Sequence, residues 1–345
     1  MKLWSYARGN TEMYFSRYFY SCLLMGLSLL VGASGLSQAP PRGTGASDSS
    51  GVQTVKSLAD RTDKSDNQAE NLVVNVDLVN VLFTLTDRKG KLVTDLEKSD
   101  FNLFEDNRLQ TITNFSRETD LPLTIALLID TSTSIRDKFK FEQEAATDFL
   151  GRTLRPKKDK ALLISFDSAI ELVQDYTDDP ESLRKAINQI RPGGGTKLLD
   201  AIYLACQEKL KAEAGRKIMI LISDGDDNLS LETTNSTLEM AQKSDVSIYT
   251  ISTNSSGFFG VSAPKSDKLL KRLADETGGR AFFPFKAEDL SQSFQDIGAE
   301  LRSQYSLAYR SSNTKRDGTF RAIRIETDRK NLKVKSRRGY YAPKS

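Results

Sequence analysis

Five oxygen-bearing side chains pose the chemical question in this 345-residue chain. Asp130, Ser132 and Ser134 stand at alternate positions directly after the unbroken apolar run 125–129. Thr196 follows the run Gly193, Gly194, Gly195, and Asp224 opens Asp-Gly-Asp-Asp at the end of the apolar stretch 218–223. One carboxylate and two neutral hydroxyls from a single turn suit a hard divalent cation such as Mg2+, which takes oxygen ligands and retains waters. The composition removes several alternatives. The chain has no histidine, which excludes Ser-His-Asp and Cys-His catalysis and histidine-ligated zinc. The net charge of +3 is spread without a long Lys/Arg block, so no nucleic-acid footprint is indicated.

The elements that must position these groups follow from the apolar patterning. A continuous apolar run such as 125–129 marks a strand buried on both faces of a parallel sheet, and polar residues at its carboxyl end fall where open α/β sheets hold ligands. Strand candidates 125–129, 161–166, 171–176, 218–223, 246–251 and 281–284 alternate with helix candidates 135–150, 180–190, 197–211, 231–243, 266–277 and 287–302. This alternation predicts a doubly wound, mostly parallel α/β sheet over 120–302. In such a sheet the strands that end at Asp130 and Asp224 lie side by side at the switch point, so both carboxylates face one crevice. The glycine run lets a loop approach closely and present the Thr196 hydroxyl. Gly278 with Gly279 reads as a helix stop.

Period-two patterning appears at both ends of the domain. Residues 72–119 carry short strands over 72–85, 91–93, 101–104 and 110–115, with a change of phase at Leu78 and Val79 that suggests a bulge. Residues 303–345 alternate at Tyr305, Leu307 and Tyr309, then at Ile323 and Ile325, and close at Leu332 and Val334. We expect the two segments to pair into one small β-sandwich that receives the central domain as an insertion, the alternative being two separate sheets flanking it. Ahead of them, 1–39 reads as a secretory signal peptide, with Arg8 and Arg17 before an apolar core over 22–31 and small residues after it. Met13 is a second candidate start, and an uncleaved anchor is the alternative fate of this segment. Residues 40–71, rich in Ser, Gly, Thr, Asp and Lys, read as a flexible linker. Cys22 leaves with a cleaved signal, and Cys206 shares helical spacing with Ile202 and Leu210, so no disulfide framework is expected.

Asp130-x-Ser132-x-Ser134, Thr196 after a glycine run, and Asp224 in Ser-Asp-Gly resemble the metal-ion-dependent adhesion site of von Willebrand factor type A (VWA) domains. The resemblance covers about 120–302. Asp100-Phe101 and Arg338-Gly339-Tyr340 are similar to stretches of bacterial secreted proteins related to this domain. The resemblance implies direct contact of the ion, Mg2+ or Mn2+, with Ser132, Ser134 and Thr196, and water-mediated contact with Asp130 and Asp224. It implies a protein partner that offers an exposed Asp or Glu to the open coordination position, and a last helix, 287–302, whose displacement alters affinity.

Each motif also has a plainer reading. Ser134 with Asp137 fits a helix cap, the glycines fit a loop, and Asp224-Gly225 is a common turn pair. Asp226 and Asp227 read as solvated loop charges or helix-start residues. The glycine run lacks phosphate-loop spacing. The expectation is an exported, non-enzymatic adhesion-type protein, located outside the cell, in the periplasm or in the envelope, with membrane association only through an uncleaved N-terminal segment. A structural envelope component, in which the ion merely stabilises the loops, is the rival. A metal-dependent hydrolase is a weaker one, with no tuned base beside the site.

Overall fold

The structure, a computed structural model, describes residues 78–117, 121–133, 139–254 and 265–344. The expected signal, linker and earliest strand residues, Cys22 and Ser134 lie outside the described residues.

The chain enters as β1 (Leu78–Thr86), β2 (Phe101–Glu105), β3 (Arg108–Gln110) and β4 (Ile112–Arg117). The central domain then runs β5 (Leu123–Asp130), α1 (Phe139–Thr153), β6 (Lys160–Phe166), β7 (Ile170–Thr177), α2 (Pro180–Gln189), α3 (Leu198–Leu204), β8 (Arg216–Ser223), α4 (Thr234–Lys243), β9 (Val246–Ser252), α5 (Lys265–Thr277), β10 (Ala281–Phe282) and α6 (Ala287–Arg302). Its sheet has the order β10-β9-β8-β5-β6-β7, parallel except for the edge strand β7. All eight residues of β5 are buried, because helices cover both faces. Ile125, Leu127 and Ile129 pack with residues of α1, α2 and α6, while Ala126 and Leu128 pack with α3, α4 and α5. Burying each such Ile or Leu side chain contributes about 1.5–3 kcal/mol, which is why an uninterrupted apolar run rather than an alternating one builds a central strand.

After α6 the chain continues as β11 (Tyr305–Arg310), β12 (Phe320–Thr327), β13 (Lys333–Ser336) and β14 (Gly339–Tyr341). These strands interleave with the N-terminal ones. One sheet has the order β13-β1-β11-β4 and the other β14-β12-β2-β3. Val81, Phe83, Leu103, Leu307 and Ile325, among others, form one core between the two sheets. Buried Glu105 of β2 accepts hydrogen bonds from Tyr309 (2.7 Å) on β11 and Tyr340 (2.9 Å) on β14, and lies 3.7 Å from Arg321 on β12. A buried carboxylate needs such partners, and here they tie four strands from both chain ends.

Several local expectations change. The run 110–115 is two strands: the chain leaves one sheet after Gln110 and joins the other at Ile112; both side chains are buried, Ile112 in the shared core and Gln110 against Ser312. Residues 91–93 make only a bridge, Thr86 to Leu92. No bulge falls at Leu78 and Val79, since β1 pairs in step with β11 from Leu78 to Phe83; the irregularity sits between Ala308 and Tyr309, against β4. The strand expected over 281–284 is only Ala281–Phe282, and the helix expected over 197–211 turns to π geometry at Ala205–Leu210. Cys206 is buried and free, and burial pushes its thiol up to about 12.

Candidate metal site

β5 and β8 are neighbours, with Ile129 opposite Ile222, so both sheet strands end at the same edge. Asp130 is fully buried there. Its Oδ1 accepts the Ser132 amide (2.8 Å) and its Oδ2 accepts the Ser223 hydroxyl (2.6 Å). Burial pushes the Asp130 carboxyl up to about 6; the bonds from Ser223 and Ser132 pull against that, and the charge of Asp224 adds to it. Among the described residues no lysine or arginine pairs with Asp130. A buried carboxylate without a cationic partner is costly to ionise, and a bound proton or a cation placed beside it lowers that cost.

Three loops close on this carboxylate. The Gly193 amide donates to the Thr131 carbonyl (2.6 Å) and the Thr133 amide donates to the Gly194 carbonyl (3.3 Å), so the glycine run lies against the backbone on either side of Ser132. The loop also runs close to Asp167: a Cβ at Gly193 would stand 1.5 Å from Asp167 Oδ2, so a side chain there would have to displace that carboxylate. Thr196, buried three residues later, is held from the other side. Asn228 Oδ1 accepts the Thr196 amide (2.9 Å), and the Thr196 carbonyl accepts the amides of Asn228 (3.2 Å) and Leu229 (3.0 Å).

Asp224 follows Ser223 and is 7% exposed. Its Oδ1 accepts the Asp226 amide (3.0 Å) and its carbonyl accepts Asn254 Nδ2 (2.6 Å). Gly225 takes φ +78°, and a Cβ there would press to 2.8 Å on the Ser266 carbonyl, so the turn that aims Asp224 excludes a side chain at the next position. Of the residues expected at the site, Asp130 at the end of β5 and Ser132, Thr196 and Asp224 on hydrogen-bonded loops therefore lie at one sheet edge, with Ser134 outside the described residues.

Asp226 is exposed, whereas Asp227 is half-buried: its Oδ1 accepts the Leu198 amide (3.2 Å) at the start of α3. Asp227 is thus a tie between two site loops and not a solvated charge. The expected helix over 231–243 starts instead at Thr234, because 224–232 is committed to the site. Buried Asp200 accepts the amides of Leu231 and Glu232, both at 2.9 Å, and its own amide donates to Ser230 Oγ (3.1 Å). Thr233 then caps α4 through the Ser236 amide (3.2 Å). Sequence reasoning missed Ser223, Asn228, Asp200 and Asn254. Loop-to-loop bonds leave no period in a sequence, and only the proximity of Ser223 and Asn228 to Asp224 could have pointed to them.

A doubly wound sheet that gathers carboxylates and hydroxyls at its carboxyl edge is an open α/β domain of the ligand-holding class, and the donors present, all oxygen, suit a hard divalent cation. The model of the von Willebrand factor type A domain matches residues 124–300, just over half of the chain, and the chain belongs to that family. No curated protein matches it. Among solved structures, proximal thread matrix protein 1 from the mussel byssus, with a zinc-occupied MIDAS motif, is 19% identical, with 57% of this chain and 50% of that one covered and a TM-score of 0.47. The vWF domain of the type V pili tip protein Mfa5 from Porphyromonas gingivalis is 15% identical over 52% and 95% of the two chains, at a TM-score of 0.44. BatB from Bacteroides thetaiotaomicron is 14% identical over 51% and 99%, at 0.40. This chain spans about half the length of the mussel protein. These likenesses concern the fold.

Proposed function

We propose that this chain is an exported, non-enzymatic binding protein. Its VWA domain holds Mg2+ or Mn2+ on Asp130, Ser132, Ser134, Thr196 and Asp224 and captures a protein partner through an exposed Asp or Glu. One observation carries the reading: Asp130 is a fully buried carboxylate bonded only to neutral donors among the described residues, at the edge where the loops of Thr196 and Asp224 meet. The bound ion would supply a Lewis-acidic position for the partner's carboxylate, since a shell of hydroxyls and water leaves much of its charge uncompensated. The chain's own part is to orient the donors, which Asn228, Asp227 and Asn254 do through the bonds above. The apolar segment near the N-terminus supports export; among the described residues no helix is long and apolar enough to cross a membrane.

The structural rival treats the ion as the glue of the loops. The protein's own loop bonds speak against that, because Asp200, Asp227 and Asn228 already fasten 227–232 to 196–200. The test is capture from envelope extract in Mg2+ and in EDTA, with Asp130→Ala as control and Ser132→Ala combined with Thr196→Ala as the discriminating variant. Adhesion predicts metal-dependent capture that the double variant loses at unchanged Tm. A large fall in Tm with capture intact supports the rival.

A further inference from the structure

The loop that follows Asp224 exposes two large apolar side chains. Leu229 is 43% and Leu231 66% exposed, and Ser230 between them is turned inward to accept the Asp200 amide. A single exposed leucine is ordinary on a protein surface. This pair differs in its anchoring. The Leu229 amide donates to the carbonyl of Thr196, a proposed ligand of the ion, and the Leu231 amide donates to Asp200 Oδ1 one helical turn further on. The Leu229 side chain sits over Gly195, where a Cβ would meet its Cδ1 at 2.7 Å. Two apolar side chains are thus held against solvent by a loop whose backbone is bonded on both sides of them, immediately beside Thr196. A surface ordered in advance loses little conformational freedom when something covers it, which makes apolar burial there effective.

We propose that Leu229 and Leu231 form the second half of the binding site and select a partner that carries an apolar side chain next to its acidic one. The inference rests on the metal-dependent capture of a carboxylate proposed above and names the chemistry of the partner: an acidic residue with leucine-like neighbours in an exposed segment. Desolvating most of one leucine on each side is expected to strengthen binding about tenfold over a polar neighbour.

The experiment uses the full chain and three fluorescent pentapeptides whose central triplets are Leu-Asp-Leu, Ser-Asp-Ser and Leu-Asn-Leu, titrated by polarisation in magnesium chloride and in EDTA. The expected result is binding of both Asp peptides only with the metal, no binding of the Asn peptide, and a preference of about tenfold for Leu-Asp-Leu. In Leu229→Ser with Leu231→Ser the two Asp peptides should bind alike within about twofold. Leu231→Ser alone, at the more exposed position, should reduce the preference and guards against misfolding of the double variant. Equal affinity of the wild type for the two Asp peptides, or a preference that survives both substitutions, overturns the inference and leaves the metal-dependent capture standing. Absence of any metal-dependent binding overturns the capture itself and the inference with it.

Discussion

Asp130 has the same side chain as the exposed Asp226 and a different charge problem. Its carboxyl is raised from 3.8 to about 6 because burial disfavours the anion. A carboxyl whose folded value is raised binds its proton more tightly in the folded than in the unfolded protein. Its contribution to stability is therefore largest below about pH 4 and is lost as pH rises through about 6. The loss corresponds to roughly 3 kcal/mol. A divalent ion reverses this by favouring the anion. Asp159 works in the opposite direction: burial raises its carboxyl, but the Arg155 guanidinium and the amides of Leu123 and Arg155 outweigh this and hold it low. The comparison must therefore be with Asp130→Asn. In EDTA that variant should melt no lower than the wild type at pH 7, with the gap in its favour closing towards pH 4. In Mg2+ it should lose the metal-induced rise in Tm. Scanning calorimetry across that pH range checks both, and a variant much less stable than the wild type in EDTA at neutral pH would contradict the buried-charge account.

At the scale of elements, the loops matter more than the strands they leave. The strands β5 and β8 bring Asp130 and Asp224 to one edge, where each accepts an amide two residues on, but Thr196 is placed by bonds that cross between loops. Asn228 is the clearest case, since its side chain and backbone clasp both polar groups of the Thr196 peptide. Residues that orient metal ligands typically change affinity 10- to 100-fold when removed. Asn228→Ala should accordingly weaken Mg2+ binding by at least about tenfold in calorimetric titration, with a loss of about 1–3 kcal/mol in stability from the unsatisfied amide. Unchanged metal affinity would show that Thr196 is positioned without the clasp. The legibility of these elements was uneven. The helix expected from residue 231 begins at Thr234 because Asp200 draws the amides of Leu231 and Glu232 into the site, a polar preference that hydrophobic spacing does not encode.

For the whole molecule, the inserted arrangement couples the two chain ends. In one sheet β11 lies between β1 and β4, which meet only through it, and in the other β12 covers the edge of β2 that β3 leaves open, so both sheets need the C-terminal strands. Removing residues 303–345 should unfold 78–117, seen as rapid proteolysis of that segment and loss of its protected amides; a resistant N-terminal fragment would refute the coupling. The sandwich also meets the central domain at the last helix. Buried Glu300 on α6 accepts from Thr84 of β1 (3.4 Å) and Tyr249 of β9 (3.3 Å) and lies 3.7 Å from Arg280, while Arg216, at the start of β8, donates to the Leu301 carbonyl and the Gln304 side chain. The strand that carries Asp224 at one end thus holds the end of α6 at the other.

The amino-acid sequence by itself determined what burial dictates: the apolar run that makes β5 central, the alternation of strands and helices along the chain, the oxygen donors placed at strand ends, and, through the absence of histidine, the chemistry excluded. Burial leaves a period in the residues, and a period can be read without coordinates. Tertiary structure alone decided which strands of the two ends pair, where the chain crosses between sheets at Thr111, and how Ser223, Asp227 and Asn228 bind the site loops together. Those are hydrogen bonds between groups far apart in the chain, and every backbone carries the donors and acceptors for them, so the residue types do not say which partner will be met.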